Sequence, residues 1–485
     1  MPLCRSLHRS IRGSFGVGLM ALTPLWRCLS GHFDSFLEGY EERYRPSYGH
    51  LRPVIPEVVG KFMGCGDYSR GFARVRCDHC TTEYLLPFSC KGRWFCPSCH
   101  QKKVQLFGSL ITETILAPIP HRHITIGIPK MLRPYFRFHR GLIKELCRIA
   151  QSCILDFQRT ALNLPEGVGG AVMAIHTFGE YLDFHPHLHA LVADGLFTRS
   201  GMFHVMPELS LAPLEELFRA RVISFLVKKE LLLPERARML LGWRHSGFNI
   251  HRSRRIAPSS REDLERLAQY IIRNPFSLDK MHPNATGESI IYRSGLNPKI
   301  RRNFQVFEPC DFIAAITQHI PDKSFQLVRY YGWYSNKMRG QRLKQDAQKE
   351  AERESAEGES PALGTPEVID VSGFVSRRRP SRKWRDLIQK VWEADPLLCP
   401  TCHEPMRIIA LIDEAEIIER ILRHLGLWEE PVDLDRGPPE AIVELFPEEQ
   451  HLDPLLELWS EMAPRREDPI DPFPDYDSEP VFSWN

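Results

Sequence analysis

The stretch "DFHPHLHALVADG", Asp183 to Gly195, places a histidine at every second position, His185, His187 and His189, and then runs at once into apolar residues. "ALV" followed by "ADG" reads as a β-strand closing in a turn, and a strand carries its side chains with a period of two. The three imidazoles therefore share one face, while Leu188 and Ala190 point the other way and give the strand an apolar contact with a core. Neutral imidazole is the commonest protein ligand for a divalent ion. Ligands at i and i+2 on a rigid strand are held at a fixed spacing before any metal arrives. The pattern thus reads as a metal site, against the alternative that three histidines merely alternate.

Outward from this stretch, "GGAVMAIHTFGEYLDFHPHLHALVADG" alternates on both sides of a break near Gly179 to Asp183, which predicts a β-hairpin whose second strand carries the histidines. "HRHITIGIP" predicts a strand ended by Pro129, and "GESIIYRSG" another. "YFRFHRGLIKELCRIAQSCILDFQRTAL" reads as one long amphipathic helix, and "LAPLEELFRARVISFLVKKELL" as a second. "SREDLERLAQYIIRNP" reads as a third, opened near a serine N-cap and closed before Pro275. "FDSFLEGYEERY" and "LRPVIPEVVGKFMGCG" add helices nearer the amino end.

At 485 residues the chain exceeds one typical domain. The best membrane candidate, "GSFGVGLMALTPLW", is too short for a bilayer and is broken by Pro24. Arg5, Arg9 and Arg12 before it imitate a secretory leader, but no small-residue cleavage site follows, so residues 1–31 are expected to be a poorly ordered extension ahead of the fold. The thirteen cysteines are odd in number and cluster in CxxC pairs, which fits a reducing compartment, the cytoplasm, and no membrane.

The net charge of +2 hides an asymmetry, because residues 429–485 hold seventeen acidic and three basic residues. An acidic, proline-rich tail of about −14 thus follows a body of about +16. Basic runs fall at "HRSRR", "NPKIRRN", "NKMRGQRLK" and "RRRPSRKWR", a distribution that favours a polyanionic partner. The stretch 346–382, rich in Glu, Ser, Pro and Ala, reads as a linker, followed by a small unit at 383–428 holding Cys399 and Cys402.

"CDHCTTEYLLPFSCKGRWFCPSC" contains two CxxC pairs, Cys77/Cys80 and Cys96/Cys99, separated by fifteen residues. A CxxC turn puts two thiolates on one side of a tight knuckle, and two knuckles make the tetrahedral sulfur cage that Zn2+ prefers. Four protein ligands leave no open position, so this zinc is expected to be structural. Cys65, Cys90 and His100, with His79, remain nearby for a second ion. "CPTCH" in the carboxy unit is half a zinc site without a second CxxC after it.

A metal on His187 and His189 in a basic body points to phosphate chemistry. In "LERLAQYIIRNPF", Tyr270 sits on a helix with Arg273 at i+3 on the same face, a phenol beside a guanidinium. "RYYGWYSNKMRG" interleaves aromatics with cations, and Arg329, Tyr331, Trp333, Lys337 and Arg339 are candidates to stack on unpaired bases and hold their phosphates.

Histidine, hydrophobic residue, histidine on a strand, followed by a tyrosine helix, resembles the HUH endonuclease superfamily. "GFARVRCDHC", "FSCKGRWFCPSC", "HTFGEYLDFHPHLHALV", "QYIIRNP", "HIPDKSFQLVRYYGWYSNKMRG" and "DPLLCPTCH", in that order, are similar to the rolling-circle transposases of the insertion-sequence 91 and ISCR type. The resemblance covers about His32 to Ile412. It implies an α+β fold, with a central antiparallel sheet and flanking helices (RRM-like) in residues 116–345, behind a helical and zinc-ribbon-like module in 32–115. It implies an enzyme that nicks and joins single-stranded DNA at element ends and target through a 5′-phosphotyrosine. His187 and His189 would hold Mg2+ or Mn2+, and Tyr270 would be the nucleophile. The third ligand is His176 across the hairpin or His185 on the same strand; geometry favours His176, because three ligands along one extended strand do not converge without a bend. Many relatives carry two tyrosines four residues apart, whereas here Arg266 stands four before Tyr270, which implies a one-tyrosine enzyme. The resemblance also implies a bacterial protein at the nucleoid, with self-association a further expectation. Two other functions fit the residues: a non-catalytic zinc-ribbon DNA-binding protein, and a metal-dependent hydrolase that activates water.

Overall fold

A computed structural model describes residues 23–92, 94–243, 246–284, 287–297, 301–342, 368–371, 373–374 and 397–428. The acidic tail and the "RRRPSRKWR" run lie outside the described residues. No helix among the described residues is long and apolar enough to cross a membrane.

The fold is α+β with antiparallel sheets. Its centre is a five-stranded sheet ordered Val328–Gly332, Gly170–Phe178, Phe184–Ala193, His121–Gly127 and Asn249–Arg252. The two middle strands of the hairpin are almost wholly buried, as expected of strands covered on both faces. Register puts His176 opposite His187 and Ala174 opposite His189, so imidazoles from both strands face the same side.

The hairpin turn is pinned rather than loose. Gln318 Nε2 and His319 Nε2 both donate to the Leu182 carbonyl, at 3.1 and 3.0 Å, and the Thr177 hydroxyl donates to His319 Nδ1 at 3.0 Å. Gly179 is needed there, since a Cβ would lie 2.2 Å from Asp183 Oδ1. At the other end of the histidine strand, buried Asp194 accepts from Arg122 Nε at 2.7 Å and from Arg255 Nε at 2.5 Å. A buried carboxylate is tolerable only with such partners. Arg252 likewise pairs with Glu208, so the "HRSRR" run holds the fold together and is less free for a polyanion than its charge implied.

The face opposite the histidines is covered by Leu142–Leu162, where Tyr331 donates to Cys147 Sγ and Gln158 Nε2 donates to the Ala193 carbonyl. The single long helix read from the sequence is two, Arg133–Phe138 and Leu142–Leu162, with the break around His139 and Gly141. The histidine face is covered by Arg261–Ile271, with Pro97–Leu110 packed against it. Glu262 and Asp263 complement the dipole in the first turn of Arg261–Ile271, and Leu264, Ala268 and Ile271, at i, i+4 and i+7, form its buried stripe. Gly108 permits the close helix contact, because a Cβ there would lie 2.8 Å from Gln269 Cγ.

Three boundaries differ from the sequence reading. A helix begins at Pro24, capped by Thr23, and buries Leu25, Cys28, Leu29 and Phe36, so the fold starts inside the expected extension. Residues 276–320 lie within the expected catalytic span, yet their Phe276, Phe307, Phe312 and Ile313 pack with Phe36, Tyr40, Val59 and Phe62 of the amino-terminal helices. Val368–Asp370, inside the expected linker, pairs with Met202–Val205, and Met406–Ile412 pairs with Phe72–Cys77 of the zinc module. Long-range strand pairing decides these placements, and local composition carries no trace of it.

Candidate metal centre and tyrosine helix

Two of the three convergent histidines, His176 and His187, have one ring nitrogen tied to a carbonyl that fixes its proton. His176 Nε2 lies 2.7 Å from the Ile271 carbonyl, and His187 Nδ1 lies 2.8 Å from the His185 carbonyl. A carbonyl oxygen can only accept, so those nitrogens carry the protons, leaving lone pairs on His176 Nδ1 and His187 Nε2. His176 Nδ1 is buried without a hydrogen-bond partner. His189 turns Nε2 toward His187 Nε2 at 3.1 Å, while its Nδ1 lies 2.8 Å from His123 Nε2. The ligand atoms of His176, His187 and His189 all lie within 4.8 Å of one another. Burial pushes His176 well below the ordinary value of 6.5, His187 to about 4 and His189 to about 2, with mutual repulsion and the Arg273 charge adding to the effect. Three neutral imidazoles, each with a ring nitrogen gathered at one place, are what a divalent cation requires.

His185 stays outside this group. It contributes its carbonyl to His187, and its own ring, held down to about 4 by burial and by Arg133, lies 5.0 Å from the His187 ring.

Tyr270 projects from the last turn of Arg261–Ile271, half exposed, with its ring centroid 5.5 Å from that of His189 and 6.1 Å from that of His123. The Arg273 guanidinium sits 4.6 Å from the Tyr270 ring centroid and 5.5 Å from that of Phe178. Phenol, guanidinium and imidazole cluster thus form one continuous surface.

The cysteines regroup. Cys77 and Cys80 do not meet Cys96 and Cys99; Cys96 and Cys99 join Cys65 and Cys90, while Cys77 and Cys80 join Cys399 and Cys402. In the first group Sγ atoms lie 3.9 Å apart for Cys65 and Cys99, 3.6 Å for Cys90 and Cys99, and 3.8 Å for Cys65 and Cys96. Zinc–sulfur bonds of about 2.3 Å at a tetrahedral ion place sulfurs about 3.8 Å apart, so this group fits a structural zinc. His100 is not among the ligands: Trp94 N–H donates to its Nδ1 at 3.0 Å, and its Nε2 donates to the Ile272 carbonyl at 2.6 Å.

Residues 170–342 match a family model described as "Putative transposase", and residues 33–128 match one described as "Transposase zinc-binding domain". The transposase for insertion sequence element IS801 of Pseudomonas savastanoi pv. phaseolicola is 26% identical over 314 residues, 61% of this chain and 74% of that protein. The chain belongs to the insertion-sequence 91 type of transposases. A second relative, y4qJ of Sinorhizobium fredii (strain NBRC 101917 / NGR234), likewise described as a transposase, is 22% identical over 395 residues, 76% of this chain and 92% of that protein. No solved structure matches.

Within the transposase, the segment read as a base-stacking surface is largely core. Trp333 stacks on Phe197 with centroids 4.4 Å apart, Tyr334 is fully buried against His121, and Arg339 is 2% exposed. Tyr331 is turned to the far side of the sheet; Lys337 is exposed and Arg329 half-buried. Sequence reasoning missed His123, whose "HRH" spacing repeats the alternation of the histidine strand, and Arg133, whose charge acts on His185 and His187.

Proposed function

We propose that this transposase nicks and rejoins single-stranded DNA through a covalent 5′-phosphotyrosine on Tyr270, mobilising a rolling-circle element. The observation that carries the reading is the convergence of three imidazole nitrogens beside an exposed phenol. A divalent cation, Mg2+ or Mn2+, held by His176 Nδ1, His187 Nε2 and His189 Nε2, would supply Lewis-acid polarisation of the scissile phosphoryl group. Arg273 offers positive charge to the developing phosphorane and to the phenolate. The Tyr270 proton passes to solvent and its oxygen bonds to phosphorus. The bond from phosphorus to the 3′ oxygen breaks, and that oxygen leaves as a hydroxyl. Attack by another 3′-hydroxyl reverses the step, so bonds are exchanged without hydrolysis. Burial of Tyr334, and the turning of the Tyr331 hydroxyl to Cys147 on the far side of the sheet, support a mechanism in which Tyr270 acts without a second phenol.

The test incubates protein, Mn2+ and end-labelled single-stranded oligonucleotides carrying candidate element ends, resolved on a denaturing gel. A protein-linked product that disappears in Tyr270→Phe is expected. Free fragments persisting in that variant would indicate a hydrolase, and binding without cleavage a non-catalytic DNA-binding protein.

A further inference from the structure

Strand Phe72–Cys77 ends at a thiol whose partners lie far along the chain. Cys77 Sγ is 3.5 Å from Cys402 Sγ, and Cys80 Sγ is 3.4 Å from Cys399 Sγ, across 325 and 319 residues of sequence. A disulfide needs about 2.05 Å, so these are thiols gathered without bonding, near the sulfur spacing of a tetrahedral zinc site. The "CPTC" knuckle is preformed: Cys399 N–H donates to the Glu404 carbonyl at 2.9 Å, and His403 N–H donates to the Cys399 carbonyl at 3.0 Å.

Beyond the knuckle, Met406–Ile412 lies antiparallel to Phe72–Cys77, with Met406 opposite Cys77 and Ile412 opposite Phe72. The helix Ala415–His424 follows it. The apolar support is thin. Val75, Tyr84 and Met406 are buried around the thiols, and Phe72, Leu85, Ile418 and Leu422 beneath the helix. Cores of that size do not hold a fold without a covalent or metal staple. The matched family regions end at residues 128 and 342, before Cys399.

We propose that Cys77, Cys80, Cys399 and Cys402 form a second zinc site, a clasp that holds the carboxy strand and helix on the amino-terminal zinc module. It closes the interval containing the whole catalytic sheet into a loop. Residues 397–428 are then the missing edge of the ribbon, not a separate unit. Removing this metal leaves Phe72–Cys77 paired only with Glu83–Pro87 and frees Met406–Ile412 altogether.

Zinc per chain, measured by plasma mass spectrometry on full-length protein purified under reducing conditions, is expected to be two, and one in Cys399→Ser/Cys402→Ser. Hydrogen exchange on the wild type, before and after zinc removal by a chelator, reads the same clasp without a variant. Peptides covering 72–77 and 406–412 are expected to lose protection together while 170–178 keeps its own. Two zinc ions retained by the double variant, a single zinc in the wild type, or protection of 406–412 that survives zinc removal would each overturn the proposal. Neither measurement involves DNA, so its failure is distinct from failure of the cleavage reading.

Discussion

His176 donates from Nε2 to the Ile271 carbonyl at 2.7 Å, so a candidate metal ligand is tied directly to the residue after Tyr270. One bond thereby fixes both the tautomer that frees His176 Nδ1 and the end of the helix that presents the phenol. The expected result for His176→Ala is an apparent Mn2+ affinity lower by about ten- to a hundredfold, read from the metal dependence of adduct formation. His185→Ala, which keeps the carbonyl, should leave it nearly unchanged. The reverse ranking would make His185 the third ligand.

The next carbonyl, that of Ile272, accepts from His100 on the zinc-module helix. His100→Ala strands a buried acceptor and the Trp94 N–H, at a cost of about 1–3 kcal/mol. If that bond positions the tyrosine helix, the single-turnover adduct rate falls by tenfold or more while zinc content and oligonucleotide affinity hold. A variant that melts earlier yet reacts at the wild-type rate would reduce His100 to a stabilising role.

Gly108 sets the distance between the same two helices. Gly108→Leu is expected to slow adduct formation sharply without touching any imidazole, because the Gln269 and Glu265 side chains of the tyrosine helix stand where the new side chain must go and the helix is pushed away. Unchanged kinetics in a folded Gly108→Leu protein would show that the helix spacing does not matter.

The pH dependence follows from neutral burial. His187 is pushed to about 4 and His100 and His319 to about 3, each chiefly by burial, from an ordinary 6.5. Between those values and 6.5 the unfolded chain binds protons that the folded one refuses, so their contribution is fully present above pH 6.5 and drains away as pH falls toward 4. The melting temperature of protein freed of divalent cations other than zinc should drop steadily from pH 7 to pH 5. A flat profile over that interval would contradict the neutral, buried assignment.

Trp333→Ala should destabilise by about 3–5 kcal/mol, as loss of a buried aromatic does, and Lys337→Ala by little. Thermal melts and oligonucleotide titrations separate this from a base-stacking role, in which Trp333→Ala would weaken DNA binding at unchanged stability.

The histidine face was legible because a strand has a period of two and local alternation suffices to read it; the hairpin, its turn and the tyrosine helix followed from the same local signals. The pairing of thiols was not. Each CxxC announces a knuckle, but which knuckles meet depends on whether Met406–Ile412 crosses back to Phe72–Cys77, a contact over 300 residues in sequence. Trp333 and Arg339 misled for a related reason: aromatics beside cations look alike on a nucleic-acid surface and in a core where guanidinium groups lie over rings, as Arg342 does over Trp333 at 4.1 Å.

The central claim is that the Tyr270 oxygen becomes esterified to DNA beside the three imidazoles. Nuclease and protease digestion of the adduct, with the modified peptide sequenced by mass spectrometry, tests it most directly. The account predicts a nucleotide on the peptide containing Tyr270 and on no other tyrosine. A nucleotide on Tyr330, Tyr331 or Tyr334, or cleaved DNA with no nucleotide on the protein, would contradict it.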